Sequence, residues 1–194
     1  MEIQNKIKRD LPNFPAEIIE DWLLPRAKDL GWPPTHQNWQ GILFTKDIEF
    51  WSSVSWLQED KNLLEMSWSK TTLNIINDLQ SAYALDEKNI YHSLLGMSGK
   101  TRYLSALKYL FEHGSFPKPI CLLKEGGNGY SVVDGHHRFV AWKVSYTLIN
   151  TLNKIQSTVF EDKANSFRET LQRKWGIDSI KPFSPIQRVW IASH

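Results

Sequence analysis

Asp134, Gly135, His136, His137 and Arg138 stand in five consecutive positions, at the end of the apolar run "YSVVD". Asp, His and Arg are costly to bury, so the cluster is either a polar surface turn or a site. Its place in the chain favours a site. A strand-like run ends here and a helical pattern begins. The first N–H groups of a helix lack intrahelical partners and carry partial positive charge, so such a junction can receive an anion. Gly135 would let that anion approach the backbone, and Arg138 offers a planar fork to phosphate oxygens. His136 or His137 can serve as acid or base. Asp134 can cap the helix, orient a histidine or hold a cation. Neighbouring histidines project about 100° apart on a helix, so His136 and His137 do not form a metal site by themselves. By themselves these residues predict no metal held by the protein alone.

A second group of the same character is "GMSGKTR". Ser98, Gly99, Lys100, Thr101 and Arg102 are expected to open the helix "TRYLSALKYL", where they would hold a second phosphate. The stretch is similar to the end of a Walker A loop. The first glycine of that motif is replaced by Leu94, however, and the parallel α/β array it requires is not evident. The alternative is an ordinary capped helix carrying solvated cations. His113 precedes Gly114 at a helix end, where a cation is favourable, and reads as structural.

The elements that must position these residues follow from periodicity. "NFPAEIIEDWLL" predicts a helix with Ile18, Ile19, Trp22 and Leu23 on one face, ended or kinked at Pro25. "DIEFWSSVSWL" predicts a helix capped by Asp47, and "SKTTLNIINDLQSAYAL" another with Leu73, Ile76, Leu79 and Tyr83 on one side. "KNIYHSLL" reads as a short strand. "KTRYLSALKYLFEHG" is a helix stopped by Gly114. "KPICLLK", "EGGNG" and "YSVVD" form a hairpin. "GHHRFVAWKVSYTL", residues 135–148, returns as a helix with Phe139, Val140, Trp142 and Val144 apolar. A further helix is expected over "DKANSFRETLQRKWG", followed by a tail with two prolines and a short apolar stretch. The fold class is α+β: a small mixed sheet with flanking helices. Residues 1–85 are expected to form a mostly helical, Trp-rich extension packed on a core of 86–194, as one compact unit by length.

The 194 residues are 41% hydrophobic and 23% charged, which suits an ordinary globular core. One cysteine, Cys121, excludes an internal disulfide and a cysteine-based zinc site, and within "PICLLK" it reads as a small buried hydrophobe. Residues 1–60 carry 6 Lys+Arg against 10 Asp+Glu, net −4, and the remainder is +6, so the later part is the one to attract phosphate. No segment reads as a signal peptide or a membrane span, and a cytoplasmic protein is expected. Five of the nine Trp precede residue 60; such scattered indoles usually pack a core.

With these elements in order, "PKPICLLKEGGNGYSVVDGHHRFVAWKV" resembles the central segment of the ParB/sulfiredoxin-like superfamily. Its members place a helix before a Pro-led strand, then a Gly-rich hairpin, a second strand and a Gly-x-His/Arg-Arg turn that opens a helix. The likeness runs from about Ile90 to Tyr146 and leaves residues 1–85 and the tail without a counterpart. It implies a nucleotide phosphate on the Gly135–Arg138 turn, and with it a Mg²⁺ brought by the nucleotide and placed near Asp134. Members include ATP-dependent sulfiredoxins, CTP-binding ParB clamps, ADP-dependent serine kinases, and nucleases or ATPases of plasmids and other mobile elements. A sulfiredoxin carries its nucleophilic cysteine where His136 stands, so sulfinic acid repair is not expected. A ParB clamp has Glu-Arg-Arg at the turn and further domains, so a full ParB is not expected either. "DGHHR" is the form of the serine kinases, yet no Asp or Glu lies between Glu87 and Glu112 to serve as their base.

The resemblance leads to the expectation of an enzyme that binds ATP or another nucleotide and hydrolyses or transfers phosphoryl groups, as an ATPase or DNase. His136, His137 and Asp134 would be catalytic, with nucleotide and DNA as partners. A free serine kinase is one alternative. A non-enzymatic inhibitor or adaptor, touching a protein partner through the Trp-rich N-terminal part, is another.

Overall fold

The computed structural model describes residues 2–35, 46–84, 91–127, 129–154, 169, 172–173, 181 and 183–194, with side chains 80–100 and 148–154 excepted. The first helix, α1, is Ile3–Asp10. The second begins as α2, Ala16–Ile18, widens into a π segment, Ile19–Leu23, and continues as α3, Leu24–Leu30. Pro25 has no N–H to give to the ladder. The helix nevertheless continues past it. The wider turn, closed by Leu24 N–H onto the Ile19 carbonyl, precedes it and Pro25 takes a first-turn position of α3. The expected face is present, with Ile18, Ile19, Trp22 and Leu23 all buried.

Helix α4, Ile48–Ser53, starts as expected at Asp47, whose carboxylate accepts the Phe50 N–H at 2.8 Å. It stops earlier than expected, because Val54 is extended and leads into strand β1, Ser55–Asn62. Helix α5 is Lys70–Ala84 and α6 is Tyr91–His113. The strand expected at "KNIYHSLL" is absent from its described part, which is already α6. Gly114 closes α6 with φ +72° and an N–H bond of 2.7 Å to the Leu110 carbonyl. Strands β2, Ile120–Lys124, and β3, Tyr130–Asp134, form the expected hairpin, and α7, His136–Lys154, follows at once. The helix expected over 162–176 lies almost wholly outside the described residues. The apolar tail is strand β4, Ile186–Ser193.

The mixed sheet has the order β1-β4-β2-β3, with β4 antiparallel to β1 and parallel to β2, and β2 antiparallel to β3. Both faces are covered. Ile120, Leu122, Val132, Val189 and Ile191 face a core shared with α5, α6 and α7. Cys121, Leu123 and Ala192 face a second core built from Ile7, Phe14, Trp22, Trp51 and their neighbours. Double coverage explains why β2 is an unbroken apolar run. The outer edge of β3 is closed by the start of α5, where the Thr72 hydroxyl accepts the Val132 N–H at 2.9 Å. Among the described residues, no helix is long and apolar enough to cross a membrane.

Candidate functional site

The β3–α7 junction gathers charge from three helices. Asp134 ends β3, and Gly135 follows with φ +93°. Phe139 N–H makes a 2.9 Å bond to the Gly135 carbonyl as α7 begins. Arg138 turns back one helical turn and donates from Nη2 to Asp134 Oδ2 at 2.7 Å and to the Pro119 carbonyl at 3.3 Å. Arg26, from α3, lies 3.5 Å from the other carboxylate oxygen, Oδ1. Arg102, from α6, is close enough to act electrostatically on both Arg26 and His137.

The role of Gly135 differs from the expected one. A Cβ there would lie 2.6 Å from Ile120 Cγ2 and 2.9 Å from Arg138 Nη2. Glycine therefore supplies the left-handed φ and the room in which Arg138 folds back onto Asp134. Approach by a ligand is not needed to explain it. Arg138 is likewise not simply a fork aimed outward. It braces the turn, so its removal would loosen Asp134 and the lead into β2 as well as any ligand contact.

Asp134 was expected to orient a histidine or a Mg²⁺ ion. Its two oxygens instead face two guanidinium groups. A dication placed there would be repelled by both, so the donor set does not suit protein-held Mg²⁺. Among the described residues, no group of three or more His, Cys, Asp or Glu side chains could hold a metal ion.

Both histidines are depressed below the ordinary imidazole range. His137 is pushed down to about 4, first by burial and then by Arg102 and His136. His136 is lowered chiefly by burial, and its ring is bonded to the Val132 backbone while Nε2 is buried with no hydrogen-bond partner. Two neutral imidazoles thus stand beside three arginines and one carboxylate.

The second expected phosphate group is rearranged. Ser98, Gly99, Lys100, Thr101 and Arg102 do not open a helix, because α6 already begins at Tyr91. Backbone N–H groups inside a helix are bonded to carbonyls and cannot bind an anion. The side chains of Ser98 and Lys100 lie outside the described residues. Arg102, an exposed residue in mid-helix, lies near enough to the turn to act electrostatically on Arg26 and His137. Cys121, paired with Asp134 in the β2–β3 register, is buried, and its thiol is held well above its ordinary pKa by burial and by Asp134. No thiolate serves the turn.

Arg26 was missed by the sequence reading. It follows Pro25 on a helix in a segment without a counterpart in the resemblance, and no spacing links it to a turn so distant in the chain. Comparison with known proteins gives no match to any family model, curated protein or solved structure.

Proposed function

We propose that this chain binds a nucleotide through its phosphates at the β3–α7 turn, as a ParB/sulfiredoxin-like protein, and hydrolyses or transfers a phosphoryl group. The observation that carries the reading is the convergence of Arg26, Arg102 and Arg138 on one strand-to-helix turn. Guanidinium groups from different elements, at a helix start, make a site for a multiply charged oxyanion. The chemical step rests on the family likeness and on the two imidazoles.

A phosphate dianion beside His137 favours its protonated form and raises its pKa from about 4 toward neutrality. A histidine so tuned takes the proton of an attacking water or hydroxyl as the new O–P bond forms. The bond to the leaving oxygen breaks with its electron pair, and the arginines hold the charge spread over the phosphoryl oxygens. Asp134, engaged by two arginines, is poorly placed to be the base. In hydrolysis and in kinase-type transfer alike that task falls to a histidine. An adaptor role through N-terminal indoles draws less support, because Trp22, Trp32 and Trp51 are core residues.

A thermal-shift panel of ATP, ADP, CTP and GTP, with and without Mg²⁺, tests the reading. A ligand present at a hundred times its Kd stabilises by about 2.7 kcal/mol, which raises Tm by roughly 5–10 °C in a chain of this size. No shift with any nucleotide or with inorganic phosphate overturns it. Release of phosphate on incubation then separates turnover from binding.

A further inference from the structure

Asp134 is held much as a bound anion would be. Its Oδ2 accepts a hydrogen bond from Arg138 Nη2 of α7 at 2.7 Å, and its Oδ1 lies 3.5 Å from Arg26 Nη2 of α3. Two oxygens of one group, each facing a guanidinium from a different helix, make the arrangement in which arginines hold a carboxylate or a phosphate. The carboxylate is drawn in, with a side-chain exposure of 15%. Yet it satisfies the arginines only in part. Arg138 reaches it through one N–H, not through the two parallel N–H groups of a guanidinium fork. Arg138 Nε is buried with no hydrogen-bond partner. The Arg26 contact is longer than the about 2.7–2.9 Å of a charge-assisted N–H···O bond. A buried donor without an acceptor is costly, so the pair retains capacity for a further oxygen.

A phosphoryl group has that further oxygen, and a carboxylate does not. Resting on the phosphate-binding reading above, we propose that Asp134 is an internal anion, which fills the place between Arg26 and Arg138 until the ligand phosphate displaces it. Asp134 then holds the affinity of the turn down and selects among anions. A free carboxylate offers the arginines nothing that Asp134 lacks, and Asp134 has the advantage of its tether. A phosphate displaces it by meeting N–H groups that the carboxylate leaves unused.

Titration calorimetry of the full chain with inorganic phosphate, at fixed ionic strength, tests this. Asp134→Asn and Asp134→Ala should bind phosphate tighter than the wild type by about tenfold or more. Asp134→Ala, which also empties the place, should gain in Tm from acetate, whereas the wild type should not. Weaker binding in both variants would mean that Asp134 positions the arginines for the ligand, and overturns the proposal. So does acetate without effect on Asp134→Ala, because a carboxylate that only repelled the ligand from a distance would leave no place for another. Breaking a buried ion pair is destabilising, so folding of each variant is followed by far-UV circular dichroism. Should Asp134→Ala fold in acetate and not in chloride, that rescue is the same readout. Should it fold in neither, Asp134→Asn decides, with tighter phosphate binding supporting the proposal and equal or weaker binding overturning it. Phosphate binding by the wild type with no gain in the variants leaves the phosphate reading standing. Absence of phosphate binding by the wild type and both variants, together with failure of the nucleotide panel, overturns both.

Discussion

His137 is the residue whose surroundings most directly make a measurable property. Arg102 from α6, Arg26 from α3, and His136 and Asp134 from its own turn all act on it, and burial depresses its pKa to about 4. In the unfolded chain it titrates near 6.5. Between those values the unfolded state binds more protons, so stability rises with pH there. The contribution is fully present above pH 6.5 and is lost as pH falls toward 4, and His136 acts in the same direction. The loss from His137 is on the order of 2 kcal/mol after allowance for partial solvent screening. Thermal melts at pH 7.5, 6.0 and 5.0 should show a falling Tm, and His137→Gln should flatten that fall. An unchanged slope in the variant would place the pH dependence elsewhere. At this scale the sequence was informative about residue type and silent about partners. "DGHHR" marked a strand-to-helix junction, which the structure has, but not that Arg138 would fold back onto Asp134 or that Arg26 would arrive from outside the motif.

Among the elements, β2, β3 and α7 were legible because local signals agree: a continuous apolar run, a glycine turn, an alternating return and a helical apolar face. Two strands were not. The sequence of β1, "SWLQEDKN", carries three charged residues in eight, as suits an edge strand that must not pair further. Strand β4 lies between two neighbours, yet it follows Pro185 and places a glutamine in the core. Gln187 is 3% exposed. Its Oε1 accepts the Phe116 N–H at 3.0 Å, and its Nε2 donates to the Ser184 carbonyl at 2.8 Å and to the Gly114 carbonyl at 3.3 Å. The residue that breaks the apolar pattern thus ties β4 to the α6–β2 connection. The start of α6 was misread for a related reason, since Gly96 and Gly99 read as loop and each costs a helix about 1 kcal/mol. Packing of α6 against α7 outweighs that local preference. Gln187→Leu restores the apolar pattern but strands buried backbone groups. It should destabilise by about 1–3 kcal/mol in urea melts. A neutral or stabilising outcome would mean that those groups find other partners.

On the scale of the whole molecule, the question is whether the N-terminal layer is an accessory or a structural half. Its core is not self-contained. Phe14, Trp22, Trp51 and Trp56 pack on one another with ring centroids 4.9–6.4 Å apart, and they close over Cys121, Leu123 and Ala192 of the sheet. Strand β1 pairs with β4 along eight residues, and Lys118, just before β2, pairs with Asp21. Removing the layer would expose an apolar sheet face and withdraw Arg26 from the turn. The layer and the sheet should therefore unfold together, as a single domain of this kind does. Tryptophan fluorescence reports largely on the N-terminal core, far-UV circular dichroism on all the helices, and alkylation of the buried Cys121 on the interface between layer and sheet. Their urea midpoints should coincide. An earlier fluorescence transition, with Cys121 labelled while most helical signal remains, would show that the layer opens alone. Its hold on the β3–α7 turn would then be a local equilibrium that the proposed phosphate binding, through Arg26, should shift toward the closed form.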